Sequence, residues 1–290
     1  MVWGWPWFSS DGGLGAARIT PEEVESPPAT LVVVATYLDK ILKAHRQAAG
    51  RDRRGIDELV TKARQCPPVR GFKAVLRDSP GIGVIAEVKR RSPSKGLLAP
   101  DLVPAVIAKT YAEAGAACLS VLTDQEFFGG SADDLAEARA AVELPVLRKD
   151  FTVCAADVCE ARLMGADALL LIVGALSAGE LAEFLALARK VGLDALVEVH
   201  DETEAEVALG AGADLIGVNQ RDLVTFEVDT DRAVRVVAGL PDSVVRVAES
   251  GIRAHGDVRR LADAGFDAVL VGEALVSSAD PGEALAALRA

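Results

Sequence analysis

Several polar side chains in this sequence stand at the ends of otherwise apolar, β-rich runs, and as a set they can move a proton and balance a charge. Glu87 and Lys89, in Ile85-Ala86-Glu87-Val88-Lys89, lie two residues apart and so on one face of an extended segment. Lys149 ends Val146-Leu147-Arg148-Lys149, Glu198 sits in Leu196-Val197-Glu198-Val199-His200, and Glu249 follows Val247-Ala248. Asn219 ends Gly217-Val218-Asn219 in the same way. An ammonium group can donate a proton or steady a developing oxyanion, and a carboxylate can take a proton or steady a cation. Burying such charges is costly unless they pair or act on something. The set is therefore either a group of structural ion pairs or a site whose pKa values are tuned for catalysis.

Those runs belong to a regular series. Apolar β-rich stretches occur at Gly83–Val88, Cys118–Thr123, Pro145–Lys149, Ala168–Val173, Ala195–Val199, Leu215–Val218, Val244–Ala248 and Ala268–Val271, with Ala- and Leu-rich helical segments between them. Ser177 with Glu180 forms a capping box, Arg189, Lys190 and Gly192 mark that helix's end, and Asp201 with Glu204 opens the next. Strands so continuously apolar are buried on both faces, as in parallel sheets covered by helices. Gly115, Gly165, Gly212 and Gly265, each in a similar turn before a strand, are 50, 47 and 53 residues apart, two βα units per step. Eight strands with a two-unit repeat predict a closed (β/α)8 barrel, a TIM barrel, rather than an open sheet. Helical patterns at Val34–His45, Gly55–Arg64 and Phe72–Leu76 predict N-terminal helices that cap it. We therefore expect one barrel domain over 31–290, preceded at 1–30 by a flexible, tryptophan-containing extension or an upstream start.

In such barrels the active site lies at the C-terminal strand ends, and alternate strands fill one interior layer. Glu87, Lys89, Lys149, Glu198 and Glu249 come from strands one, three, five and seven and should converge there. Phosphate is commonly held after strands seven and eight, where Ser250-Gly251 and Gly272-Glu273 stand. The loop Arg90-Arg91-Ser92-Pro93-Ser94-Lys95-Gly96 adds cations and hydroxyls beside the same cavity, because strand one neighbours strand eight on closure. Phe127, Phe128, Phe151 and the strand-four stretch from Leu170 through Leu171 to Ile172 suggest a slot for a flat ring, although core packing is the ordinary fate of such residues.

Composition narrows the class. A net charge of −12 excludes a broad nucleic-acid surface but not a local cationic cleft for an anionic substrate. Cys66, Cys118, Cys154 and Cys159 form no CxxC pair and no zinc spacing, so reduced thiols are expected, with no metal and no cofactor motif. The longest apolar run, Ala168–Leu176, is too short to span a bilayer, and no basic segment precedes an apolar one at the N-terminus. A soluble cytoplasmic protein is expected.

The segments Ile85–Ser94, Phe128-Gly129-Gly130-Ser131, Leu147–Phe151, Leu196–His200, Gly217–Leu223, Val247–Ile252 and Val271-Gly272-Glu273 resemble, in order, the indole-3-glycerol-phosphate synthase family. The resemblance implies a carboxy-lyase of tryptophan biosynthesis without metal or cofactor. Its substrate would be an anionic sugar phosphate, 1-(2-carboxyphenylamino)-1-deoxyribulose 5-phosphate, and the enzyme would work as a monomer or beside other enzymes of the pathway. It also implies roles. Lys149 would be the general acid at the ribulose carbonyl, and Lys89 would hold the substrate carboxylate and share the acid role. Glu198 and Glu87 would stabilise the ring cation and serve in dehydration, with Asn219 orienting them and Glu249 beside them. Ser92, Ser250, Gly251, Gly272 and Glu273 would surround the phosphate, Arg221 would bind the substrate, and Phe128, Phe151 and Leu171 would enclose the anthranilate ring. Thr152–Asp157, where the family often has a Tyr-Gln pair, and Gln220, where Asn is frequent, depart from the pattern. A phosphoribosylanthranilate isomerase-like barrel would resemble its relatives in a Cys on strand one, where Glu87 and Lys89 stand. A non-catalytic metabolite-binding barrel would be expected to lose one of the two lysines.

Overall fold

Each of the eight apolar runs becomes a strand, its bounds within one residue of those read from the sequence: β1 (Gly83–Val88), β2 (Cys118–Leu122), β3 (Val146–Lys149), β4 (Ala168–Ile172), β5 (Asp194–Val199), β6 (Leu215–Asn219), β7 (Val245–Glu249) and β8 (Ala268–Val271). The computed structural model describes residues 36–92, 95–222 and 225–290, so the extension read at 1–30 lies outside the described residues. Every strand pairs in parallel with its chain neighbours, and β1 closes on β8, to give an eight-stranded (β/α)8 barrel.

Period-two alternation splits each strand between two cores. Ile85, Leu147, Leu170, Ile172, Leu196, Leu215, Val247 and Leu270 point into the barrel. Val84, Leu119, Leu169, Leu171, Val197, Ile216 and Val269 point out against the helices. Those helices are α4 (Pro104–Glu113) after the three N-terminal ones, then α5 (Ala132–Ala141), α6 (Ala155–Leu163), α7 (Ala178–Val191), α8 (Glu202–Gly210), α9 (Arg232–Val237), α10 (His255–Asp263), the single turn α11 (Glu273–Val276) and α12 (Pro281–Arg289). The Ser177/Glu180 capping box forms as read, and Gly192 ends α7 at φ 84°. Asp201 caps α8, but Glu204 turns its carboxylate to the backbone N–H of His200 rather than back to the cap.

The N-terminal helices α1 (Tyr37–Ala49), α2 (Ile56–Arg64) and α3 (Phe72–Arg77) make three different contacts. Phe72 and Leu76 of α3 are fully buried with Ile85, Cys118 and Leu147, plugging the barrel at its N-terminal end. Burial of this kind stabilises by about 1.5–3 kcal/mol per side chain. α2 lies against α6 and α7 on the outside. Helix α1 reaches the opposite end, where His45 meets Asp124 and Phe151. After β1 the chain forms a short antiparallel ribbon, Arg91–Ser92 with Gly96–Leu97, for which the sequence carried no alternating signal.

Candidate active site

The register brings the polar strand ends to one level: Leu122 lies beside Lys149, Ile172 beside Glu198, and Asn219 beside Glu249. Above them opens a cavity of about 400 Å³ lined by Glu87, Lys89, Lys149, Glu198, Asn219 and Glu249 on its floor. All six were singled out from the sequence, and all six meet. The three carboxylates and two amines come from alternate strands, β1, β3, β5 and β7, with Lys89 one residue past the end of β1. The strand side chains that wall the cavity, Leu122, Leu170, Ile172 and Leu270, come from β2, β4 and β8.

Lys149 Nζ lies 3.2 Å from Glu198 Oε2 and 3.3 Å from Glu249 Oε2. Burial opposes its charge, but Glu249, Glu198 and Glu87 outweigh that and raise it well above the ordinary lysine value. Lys89 is paired with Glu87. Burial would raise Glu198, yet Lys149, His200 and the Nδ2 of Asn219, 3.0 Å from Glu198 Oε1, hold it below the usual carboxylate range. Glu249 goes the other way: burial raises it to about 7, helped by Glu198 and Glu87 and opposed by Lys149. Two carboxylates on one lysine thus have pKa values pushed apart, the pattern that separates proton donor from fixed charge. Glycine at 217 and 272 makes this packing possible. A Cβ at Gly217 would collide with the Glu249 carboxylate, and one at Gly272 with that of Glu87.

One side of the cavity is apolar. Phe128 and Phe151 face each other with ring centroids 6.3 Å apart, joined by Leu170 and Ile172. Leu171 is not there: fully buried, it points outward into the helix layer, because alternation sends its two neighbours inward. Phe127 likewise leaves the slot to pack edge-on against Tyr37, at 5.9 Å. Phe226, from the loop after β6, joins the lining and was not foreseen.

The other side carries Ser92, Ser250, Gly251, Gly272, Glu273 and Arg221. Ser250 and Gly251 both take left-handed backbone, φ 66° and 72°, and a non-glycine there marks strain of the kind that gathers at functional sites. Arg221 Nη2 lies 3.4 Å from Glu273, and Lys95 Nζ lies 4.0 Å from the same carboxylate. Arg90 and Arg91 do not line the cavity, contrary to the expectation for their loop. Arg90 pairs with Asp134, and Arg91 donates to the carbonyls of Glu126 and Phe127, so both fasten the loop to the segment after β2.

A cluster invisible in the sequence supports the apolar wall. His45 Nε2 is 2.8 Å from Asp124 Oδ2 and 3.9 Å from Asp150 Oδ1. Among the described residues these three are the one group of His and acid side chains close enough to hold a metal ion. Their oxygens already serve other partners: Asp124 Oδ1 accepts from the N–H groups of Phe127 and Phe128, and Asp150 accepts from Thr123, Arg148 and the N–H of Phe151. The cluster thereby fixes the backbone that carries Phe128 and Phe151.

Comparison with known proteins agrees with this geometry. The protein from Mycobacterium avium called indole-3-glycerol phosphate synthase is 52% identical over 256 residues, 88% of this chain and 94% of that protein. Its namesakes from Mycolicibacterium smegmatis and Mycobacterium tuberculosis match to the same extent. Among solved structures, a thiamine phosphate pyrophosphorylase from Pyrococcus furiosus aligns with a TM-score of 0.55 at 18% identity, over 72% of this chain and 94% of that one. An N-acetylmannosamine-6-phosphate 2-epimerase from Clostridium perfringens aligns at 0.55 and 14%, over 70% and 89%. At these identities the structures share the barrel alone. The family model for indole-3-glycerol phosphate synthase matches residues 38–288, and the chain belongs to that family.

Proposed function

We propose that the chain converts 1-(2-carboxyphenylamino)-1-deoxyribulose 5-phosphate to indole-3-glycerol phosphate, releasing carbon dioxide and water. The observation that carries this reading is Lys149, held between Glu198 and Glu249 on the floor of a cavity that is apolar on one side and polar on the other. As the carboxylated ring carbon attacks the ribulose carbonyl, Lys149 donates a proton to the oxygen on which charge develops. A lysine kept charged suits that task and not Schiff-base formation, which needs a free amine.

Lys89 holds the substrate carboxylate until it departs as carbon dioxide, and shares the acid role. Glu198 and Glu87 face the iminium-like cation left by ring closure, with Asn219 orienting Glu198. Loss of carbon dioxide restores the aromatic ring, so the electrons need no external acceptor. Glu249, whose carboxyl burial pushes up to about 7, is suited to the proton transfers of dehydration. Phe128, Phe151, Leu170 and Ile172 enclose the aryl ring. Ser92, Ser250, Gly251, Gly272 and Glu273 surround the phosphate, and Arg221 supplies charge there. We place this activity in the cytoplasm, on a free small anion, with the chain monomeric or beside other tryptophan-pathway enzymes. No helix of the described residues is long and apolar enough to cross a membrane.

The test is an assay of the carboxyphenylamino-deoxyribulose phosphate under excess chelator, following indoleglycerol phosphate by its fluorescence. Undiminished turnover supports the reading. Tight binding without turnover would replace it with a barrel that only binds the metabolite.

A further inference from the structure

His200 follows β5 and belongs to none of the roles above, yet its ring lies between two carboxylates. Its side chain is 15% exposed, and Nδ1 is 3.0 Å from Glu204 Oε2, the oxygen that also accepts the backbone N–H of His200 at 2.7 Å. Nε2, on the other side of the ring, points at Glu198 Oε1 from 3.5 Å and has no hydrogen-bond partner among the described residues.

A neutral imidazole has one N–H and one lone pair. The carboxylate at Nδ1 takes the N–H, which leaves the Nε2 lone pair aimed at a carboxylate oxygen in a buried place. Two facing lone pairs repel, and the repulsion is strongest where water is excluded. A second proton on the ring turns that contact into attraction. Three carboxylates face the ring: Glu204 from the first turn of α8, Glu198 from β5 and Glu249 from β7. The cation that also bears on Glu198 is Lys149 of β3.

We infer that His200 is a positioning residue that acts on the reaction through Glu198: as an imidazolium clamped by Glu204, it holds Glu198 ionised and its Oε1 turned toward Asn219. The inference rests on the role proposed above for Glu198. The carboxylates on both sides favour the charged ring: burial alone would lower its pKa, but Glu204, Glu198 and Glu249 outweigh that and raise it.

Nitrogen-15 NMR of the full chain reads the ring directly, since the sequence holds only three histidines. Both His200 nitrogens should be protonated at neutral pH, with titration above the ordinary histidine value and a fall in that value in Glu204→Gln. In kinetics, His200→Gln should move the acidic limb of kcat/KM to higher pH with KM little changed, each unit of displacement being about a tenfold loss on that limb. Glu204→Gln, on the outer side, should move it in the same direction by less. A ring that is neutral at pH 7, or an acidic limb that stays in place while kcat falls, would overturn the assignment in favour of a packing role. Full turnover in Glu198→Gln would instead remove the role of Glu198 while the NMR titration still reported the Glu204–His200–Glu198 contact, so the two failures are distinguishable.

Discussion

The chemistry of this chain is concentrated in single side chains whose neighbours decide their charge. Lys149→Ala should lower kcat by about 10²-fold or more, the range for loss of a general acid or an oxyanion partner, with the circular dichroism of the barrel unchanged. Near-normal turnover would remove Lys149 from the mechanism. A less obvious residue is Gly217. An added methyl would push the Glu249 carboxylate off its place beside Lys149. Gly217→Ala should therefore lose at least about tenfold in kcat, at an overpacking cost of about 1–3 kcal/mol in urea unfolding. Loss of stability with full kcat would show that the carboxylate's place is not needed. At this scale the sequence is informative where charges fall in step with inward-pointing apolar residues near a strand's end, as Lys149 does with Leu147 and Glu249 with Val247, whereas Arg148, out of step, turns outward to Asp150 and the carbonyl of Asp157. It is silent on Arg90 and Arg91, since a loop has no period to say which way a side chain turns. It is silent too on His45 and Asp124, which meet across 79 residues of chain.

Among elements, β4 shows what alternation does and does not reveal. Its five residues are all apolar and all buried, so nothing in Ala-Leu-Leu-Leu-Ile marks which side faces the cavity. That is why Leu171 reads as a ring contact from sequence and lies in the outer core instead. The pair Leu170→Ala and Leu171→Ala separates the two faces. The first should raise KM for the aryl substrate. The second should cost about 2–5 kcal/mol of stability, as a buried Leu→Ala does, with KM unchanged. Equal KM effects in both would contradict the assigned facing. The strand positions themselves are legible because doubly buried strands are long apolar runs separated by glycine turns. The three N-terminal helices are legible as helices but not by destination, since helical spacing names a buried face without naming its partner.

Across the whole molecule, helix α1 and the barrel mouth are joined by a titrating contact. Burial lowers His45, but Asp124 and Asp150 outweigh it, and its folded pKa lies above that of a free histidine. Its contribution to stability is then complete below the free-histidine value and is lost as the pH rises through the folded value. The urea midpoint of wild type should exceed that of His45→Gln clearly at pH 6 and by less at pH 9; a pH-independent difference would deny the ion pair. The barrel's layering has a wider consequence. Charged groups of the floor come from β1, β3, β5 and β7, whereas the apolar strand residues of the wall come from β2, β4 and β8. Charge and apolar strand surface are thus carried by different strands. On the roles proposed above, a library randomised at Leu170 and Ile172 would search for new aryl substrates while leaving the reaction's pH profile in place, so this scaffold is partitioned for divergence, its selectivity free to drift while its charged floor is inherited intact.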